Sequence, residues 1–224
     1  MEDQLILVYD DVSKWVDDGF IVDVALFDYS KAFDVVNHRI LLDKLYSIGI
    51  KGQLLHWIRE FLTNRSFSVT VSGHSSKSWD VLSGVPQGSV LGPLLFLIYI
   101  NFLPEYIQAK CKFFADDLKI YMKIRSDLTY NTARDLSSFQ GDIDKVQLVS
   151  SLWGLNLNPS KCVVLRFGRG SKDFSDVGVL SHYYLQSSNL NLPESHMDLD
   201  ILVDTSMKFH IHVRSVVAKA SGFS

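Results

Sequence analysis

Asp116 and Asp117 lie between two short apolar stretches, Cys111-Lys112-Phe113-Phe114-Ala115 and Leu118-Lys119-Ile120-Tyr121. Carboxylates are hard oxygen donors, and one or two of them together with substrate phosphates is the usual way a protein holds magnesium. The same pair suits a plain hairpin turn, because aspartate tolerates tight backbone geometry. Metal chemistry would need a third carboxylate from another strand end, and Asp28 follows the apolar run Phe20–Phe27. A charge at the mouth of a buried strand must be solvated or paired with a cation. A metal ion meets that need, and so does a simple passage from strand to loop.

The elements that must position these groups follow from periodicity. Leu5, Val8, Val12, Trp15 and Val16 recur at helical spacing and Gly19 ends the run. Residues 20–27 read as a buried strand, broken by Asp23. Asn37–Ile48 and Gln53–Leu62 read as amphipathic helices with Asn37 as a cap. Phe67–Val71 and Trp79–Leu82 can pair as a hairpin. Ser83–Ser89 is a turn-rich loop whose glycines flank Pro86-Gln87, so a backbone there could approach a ligand or simply turn. An apolar helix over Val90–Tyr106 follows it.

Beyond the aspartates a helix is expected over Asp127–Trp153, interrupted at Gly141, and then a strand over Cys162–Phe167. Gly168–Val179 has the composition of a linker. Tyr183–Leu185, Leu190–Leu192 and Leu199–Val203 read as short strands, and Phe209–Ala220 as a last helix.

The chain has 224 residues, 47% hydrophobic and 21% charged, which suits one large or two small domains with a packed core. Its formal net charge of −3 runs against the basic excess of a nucleic-acid binder. Locally the balance reverses: Lys110, Lys112, Lys119, Lys123 and Arg125 surround the aspartate pair. Cys111 and Cys162 lack metal-ligand spacing and read as buried free thiols. The N-terminus has no signal-peptide pattern, and the longest apolar run, Leu91–Leu103, is too short to span a bilayer. A soluble protein of a reducing compartment, with no membrane partner, is the expectation.

Four stretches, taken together and in order, carry a resemblance: Asp28-Tyr29-Ser30-Lys31-Ala32-Phe33-Asp34, Gly84–Pro93, Phe114-Ala115-Asp116-Asp117 and Gly154–Lys161. They resemble the four palm motifs of the reverse transcriptase domain of non-LTR (LINE-type) retrotransposons. The resemblance covers about Asp3 to Ala220, and Met197–His212 looks like the family's primer grip and the start of its thumb.

It implies an RNA-directed DNA polymerase with an α/β (α+β) palm, a small antiparallel sheet with helices packed on one face. Residues 1–167 would form the palm with partial fingers, and 168–224 the primer-grip-like strands and the start of the thumb. Two Mg²⁺ or Mn²⁺ ions would serve an in-line displacement at a nucleotide α-phosphate. The resemblance implies Asp28 and Asp116 as bridging ligands, Asp117 as the supporting carboxylate and the Tyr29 carbonyl as a further ligand. It implies Phe33 as a steric gate against a ribose 2′-hydroxyl, Gln87 as a nucleotide contact shaped by Pro86 and Gly88, and Lys161 as proton donor or point charge at the pyrophosphate. Core packing is the other reading of Phe33. RNA template, DNA primer and dNTP are the implied partners, and by analogy the location is nuclear or cytoplasmic.

Three departures from the family pattern are visible. The segment before Gln4 that should carry basic fingers residues is missing, Asp200 stands where glycine is usual, and the sequence stops after one thumb-like helix. A truncated copy is the expectation. A non-catalytic remnant that binds nucleic acid weakly is therefore an alternative to the polymerase. A metal-dependent phosphohydrolase is a third reading, which gives the Pro86-Gln87-Gly88 loop and Phe33 no role.

Overall fold

The computed structural model describes residues 2–127, 130–168 and 182–222. In chain order the elements are α1 (Glu2–Asp17), β1 (Ile21–Phe27), α2 (His38–Ser47), α3 (Gly52–Leu62), β2 (Ser66–Phe67), β3 (Thr70–Val71), β4 (His74–Ser75) and β5 (Trp79–Asp80). There follow α4 (Leu91–Ile100), a 3₁₀ turn (Leu103–Tyr106), β6 (Lys110–Phe114), β7 (Asp117–Ile124), α5 (Tyr130–Leu152) and β8 (Val163–Phe167). The chain closes with β9 (Tyr184–Leu185), β10 (Ser188–Asn189), β11 (Ser195–Asp198), β12 (Ile201–Asp204) and α6 (His210–Ser221). They form two compact units, each discontinuous in sequence: residues 1–28, 107–147 and 157–224, and residues 29–106 and 148–156.

The first unit is built on a four-stranded antiparallel sheet in the order β6-β7-β1-β8. This is the small antiparallel α/β palm-like sheet that the sequence implies, assembled from the four expected strands. β1 is central and buried along its whole length. Side chains alternate across a sheet, so Val22, Val24 and Leu26 share one face. They pack with Leu5, Val8 and Val12 of α1, Tyr121 of β7, and Val163, Leu165 and Phe167 of β8. Asp23 emerges on the opposite face.

The second unit contains α2, α3, α4 and the short strands β2 to β5. Asn37 caps α2, accepting from the Ile40 N–H at 3.2 Å. Of the expected hairpin between Phe67–Val71 and Trp79–Leu82, only the Phe67↔Trp79 end forms, as β2 with β5, while Thr70 and Val71 pair with Ser75 and His74, as β3 with β4. The apolar run after that loop forms a helix only to Ile100 before giving way to the 3₁₀ turn.

The long helix departs from expectation as well. α5 runs through Gly141 without a break. Interior glycine costs a helix about 1 kcal/mol, and the buried row Leu136, Phe139, Ile143 and Val146 offsets it. Beyond Gly168, the segment read as a linker lies outside the described residues. Both cysteines are free thiols, Cys162 buried and Cys111 half-buried. Among the described residues no helix is long and apolar enough to cross a membrane.

Candidate active site

The β1–β7 register, ending at Phe27↔Leu118, brings the last residue of β1 to the first turn of the β6–β7 hairpin. Asp28 leaves β1 beside Asp117, which opens β7 and pairs with Phe114 across the hairpin. The turn itself is Ala115-Asp116. Ala115 has φ +52°, a left-handed position that glycine usually fills in two-residue hairpins. The aspartate pair is thus split: Asp116 is a turn residue and Asp117 a strand residue.

Asp28 is held at three points. Its N–H donates to Cys162 Sγ at 3.5 Å, its carbonyl accepts from the Asn158 N–H at 2.9 Å, and its Oδ1 lies 3.5 Å from Lys161 Nζ. Burial pushes the Cys162 thiol up to about 11, so it stays protonated at neutral pH. Asp28, Asp117, Ser160 and Lys161 line a cleft of ≈ 390 Å³ whose far wall is His196–Leu199 of the β11–β12 hairpin. The pKa of Asp117 is raised, first by desolvation and next by the Asp116 carboxylate; Asp198 and Asp28 add to the effect while Lys119 opposes it. Asp116 is half-buried in the turn. Among the described residues, no group of three or more His, Cys, Asp or Glu side chains is gathered closely enough to hold a metal ion.

The remaining expected site residues fall in the second unit. Tyr29 is buried, its hydroxyl 2.9 Å from Ser150 Oγ. The Phe33 ring packs on Phe96 with centroids 4.4 Å apart, so one of its faces is engaged in the core. The Phe33 carbonyl accepts from the Val85 N–H at 2.9 Å. Gln87 Nε2 donates to Asp34 Oδ1 at 2.7 Å. Pro86, Gln87, Asp34 and Arg65 line a cleft of ≈ 600 Å³. Gly88 has φ +76°, which a residue with a side chain rarely adopts.

Two buried ionic groups escape a reading of the sequence. Asp23, noted there as an interruption of an apolar strand, makes a two-pronged bond with Arg166, at 2.7 Å from both Nε and Nη2, and accepts from the Tyr183 hydroxyl at 2.5 Å. Burial pulls the Arg166 guanidinium down, but the Asp23 carboxylate more than reverses this. The other group is Lys119, whose Nζ lies 2.6 Å from Asp198 Oδ1, while the Tyr9 hydroxyl donates to Asp198 Oδ2 at 2.8 Å. The signal available was a charged residue inside each apolar strand; the partners, far away in the chain, had no local mark. Of the other cations expected around the aspartates, Lys110 pairs with Asp11 and Arg125 with Asp135.

The β11–β12 turn is Leu199-Asp200, with φ +46° and +66°. Both central residues are left-handed, as a type I′ turn demands, and aspartate is among the residues that tolerate this. Asp200 is exposed at the turn.

The sequence pattern described as "Reverse transcriptase (RNA-dependent DNA polymerase)" matches residues 23–206. The "RNA-directed DNA polymerase from mobile element jockey" of Drosophila funebris is 29% identical over 197 residues, covering 84% of this chain and 20% of that protein. The "Retrovirus-related Pol polyprotein from type-2 retrotransposable element R2DM" of Drosophila melanogaster is 28% identical over 178 residues, covering 75% of this chain and 16% of that one. The chain thus spans about a fifth of the length of such relatives. Among solved structures, apo telomerase from Candida tropicalis, truncated from its C-terminal domain, superposes with a TM-score of 0.60 at 13% identity. That match covers 91% of this chain and 38% of the telomerase chain, and is a likeness of fold.

Proposed function

We infer the function of this chain from its membership of the reverse transcriptase (RNA-dependent DNA polymerase) family, to which it belongs, with relatives that are polymerases of non-LTR mobile elements. The proposal is that it is the palm of an RNA-directed DNA polymerase and transfers a nucleotide from dNTP to a primer 3′-hydroxyl on an RNA template. One observation carries this: the β1–β7 register sets Asp28 beside Asp117 at the mouth of a cleft that also contains Lys161. In the reaction the primer oxygen forms a bond to the α-phosphorus as the bond to pyrophosphate breaks.

The donor set fits hard divalent cations. Asp28, Asp116 and Asp117 offer carboxylate oxygens; desolvation first, and then the neighbouring carboxylates, raise the pKa of Asp117, and a cation would relieve the like-charge part. By the family resemblance these three, with the Tyr29 carbonyl, would hold two Mg²⁺ or Mn²⁺ ions, drawing together carboxylates that are not gathered as a group of three among the described residues. When bound, such ions supply Lewis-acid stabilisation of the attacking and leaving oxygens. The protein's own part is positional. Asp28 is fixed by the Asn158 and Cys162 contacts, and Lys161 stands 3.5 Å from it, exposed and placed to neutralise or protonate a departing phosphate. Gln87, braced by Asp34 and shaped by Pro86 and Gly88, would meet the nucleotide. The face of Phe33 not packed on Phe96 would screen its sugar. Action in the nucleus or cytoplasm is part of the same proposal, by analogy.

Primer extension on a homopolymer template with Mg²⁺ or Mn²⁺ tests this reading. Extension that Asp116→Asn abolishes is the expected result. Absence of extension by well-folded protein would overturn it and leave the non-catalytic remnant. Release of phosphate from a simple ester without template would favour the phosphohydrolase.

A further inference from the structure

The most deeply buried charges beside the cleft belong to residues that the proposed chemistry does not use. The side chains of Lys119 and Asp198 are 5% and 3% exposed and 2.6 Å apart, with the Tyr9 hydroxyl on the second carboxylate oxygen. Three elements meet there: α1, β7 and β11. Side chains alternate along β7, so Lys119 emerges on the same face as Asp117 and lies opposite Leu26, two residues before Asp28. On β11, Asp198 ends the strand that forms the far wall of the cleft.

Apolar residues of similar volume would hold such a junction at least as firmly as a buried ion pair. What they lack is direction. The pair and the hydroxyl fix Asp198 at one place over the sheet, whereas an apolar contact tolerates sliding of a two-stranded hairpin. The pair also occupies the Lys119 ammonium, which would otherwise be available to the carboxylates on its own face.

We propose that Tyr9, Lys119 and Asp198 form a latch that sets the β11–β12 hairpin as one wall of the carboxylate cleft, making Asp198 a positioning residue for the nucleic-acid end that enters it. The identity of that nucleic-acid end rests on the polymerase reading; the latch itself does not.

The test uses the 224-residue chain with the double variant Lys119→Met/Asp198→Asn. It removes both charges together, so no lone charge is left buried, and asparagine can still accept from Tyr9. Amides of residues 201–204 are expected to exchange about tenfold faster, at a thermal midpoint near that of the wild type. The KM for primer–template should rise about tenfold while that for dNTP stays within about twofold. A role confined to stability would not separate the two KM values. Tyr9→Phe, which leaves the ion pair in place, should shift exchange and primer KM in the same direction by a smaller factor, and serves if the double variant does not fold. Wild-type exchange and wild-type primer KM in the variants would overturn the latch. If the wild-type protein extends no primer, the polymerase reading falls alone. The latch is then decided by exchange and by primer–template affinity in fluorescence anisotropy, where unchanged values would overturn it.

Discussion

A missing methyl group at Gly84 keeps the loop before Gln87 closed on the segment that carries Asp34. A Cβ there would stand 2.7 Å from the Asp34 carbonyl oxygen, at φ +84°. Gly84→Ala is expected to destabilise by about 1–3 kcal/mol, as overpacking does, measured as a fall in the urea midpoint. The Asp204 carboxylate makes stability depend on pH. Burial pushes its carboxyl up, but the Ser206 hydroxyl and the Phe209, Lys208 and Ser206 amides outweigh this, and its pKa falls below the ordinary 3.8. A lowered folded value favours the ionised form, so this stability is present above the unfolded pKa and is lost as pH falls through the folded one. Asp204→Asn should therefore flatten the acid limb of stability below about pH 4, the unfolded carboxylate range, read by thermal midpoints across pH. At this scale the sequence marks Asp28 and Asp117 because a carboxylate at the end of an apolar run is conspicuous. It does not mark Asp198, whose reason for burial is a lysine on another strand.

At the scale of elements, α5 and the central sheet test the balance between local preference and packing. Gly141 lies inside α5 with open space where a methyl group would sit, no atom coming within 4 Å, and with no left-handed backbone requirement. Gly141→Ala should stabilise the protein by about 0.5–1 kcal/mol through the entropy of the unfolded chain, seen as a higher denaturant midpoint. The expected break at Gly141 was a local inference, and the buried row Leu136, Phe139, Ile143 and Val146 overrides it. Asp23→Ala leaves the Arg166 guanidinium buried without its carboxylate, at a cost of about 3–5 kcal/mol. The double variant Asp23→Leu/Arg166→Met should recover most of that loss in the same unfolding assay. Strands and helices were legible here because period two and period 3.6 survive in the sequence. The division of the β2–β5 region into two ladders was not, because a pair of two-residue strands leaves no periodic trace.

The whole molecule draws its central strand from one end of the sequence and its partners from the middle and the far side. In hydrogen exchange, the amides of β1 should be the slowest in the first unit, since β1 is bonded on both sides and fully buried. The apolar runs over residues 20–27 and 162–167, and on either side of the aspartate pair, marked the strands that form the sheet. It could not foretell the two discontinuous units, because contacts between distant segments have no local signature. The sheet also has two borders. On the β8 side, Asn191 approaches, accepting from the Val164 N–H at 2.9 Å. On the β6 side, Lys110 and Lys112 stand in the outermost strand. Charged side chains on a border strand discourage a second chain from adding to it. Those lysines thus defend the protein against fibril growth, and replacing both with valine should leave the monomer folded yet shorten the lag before it assembles into amyloid.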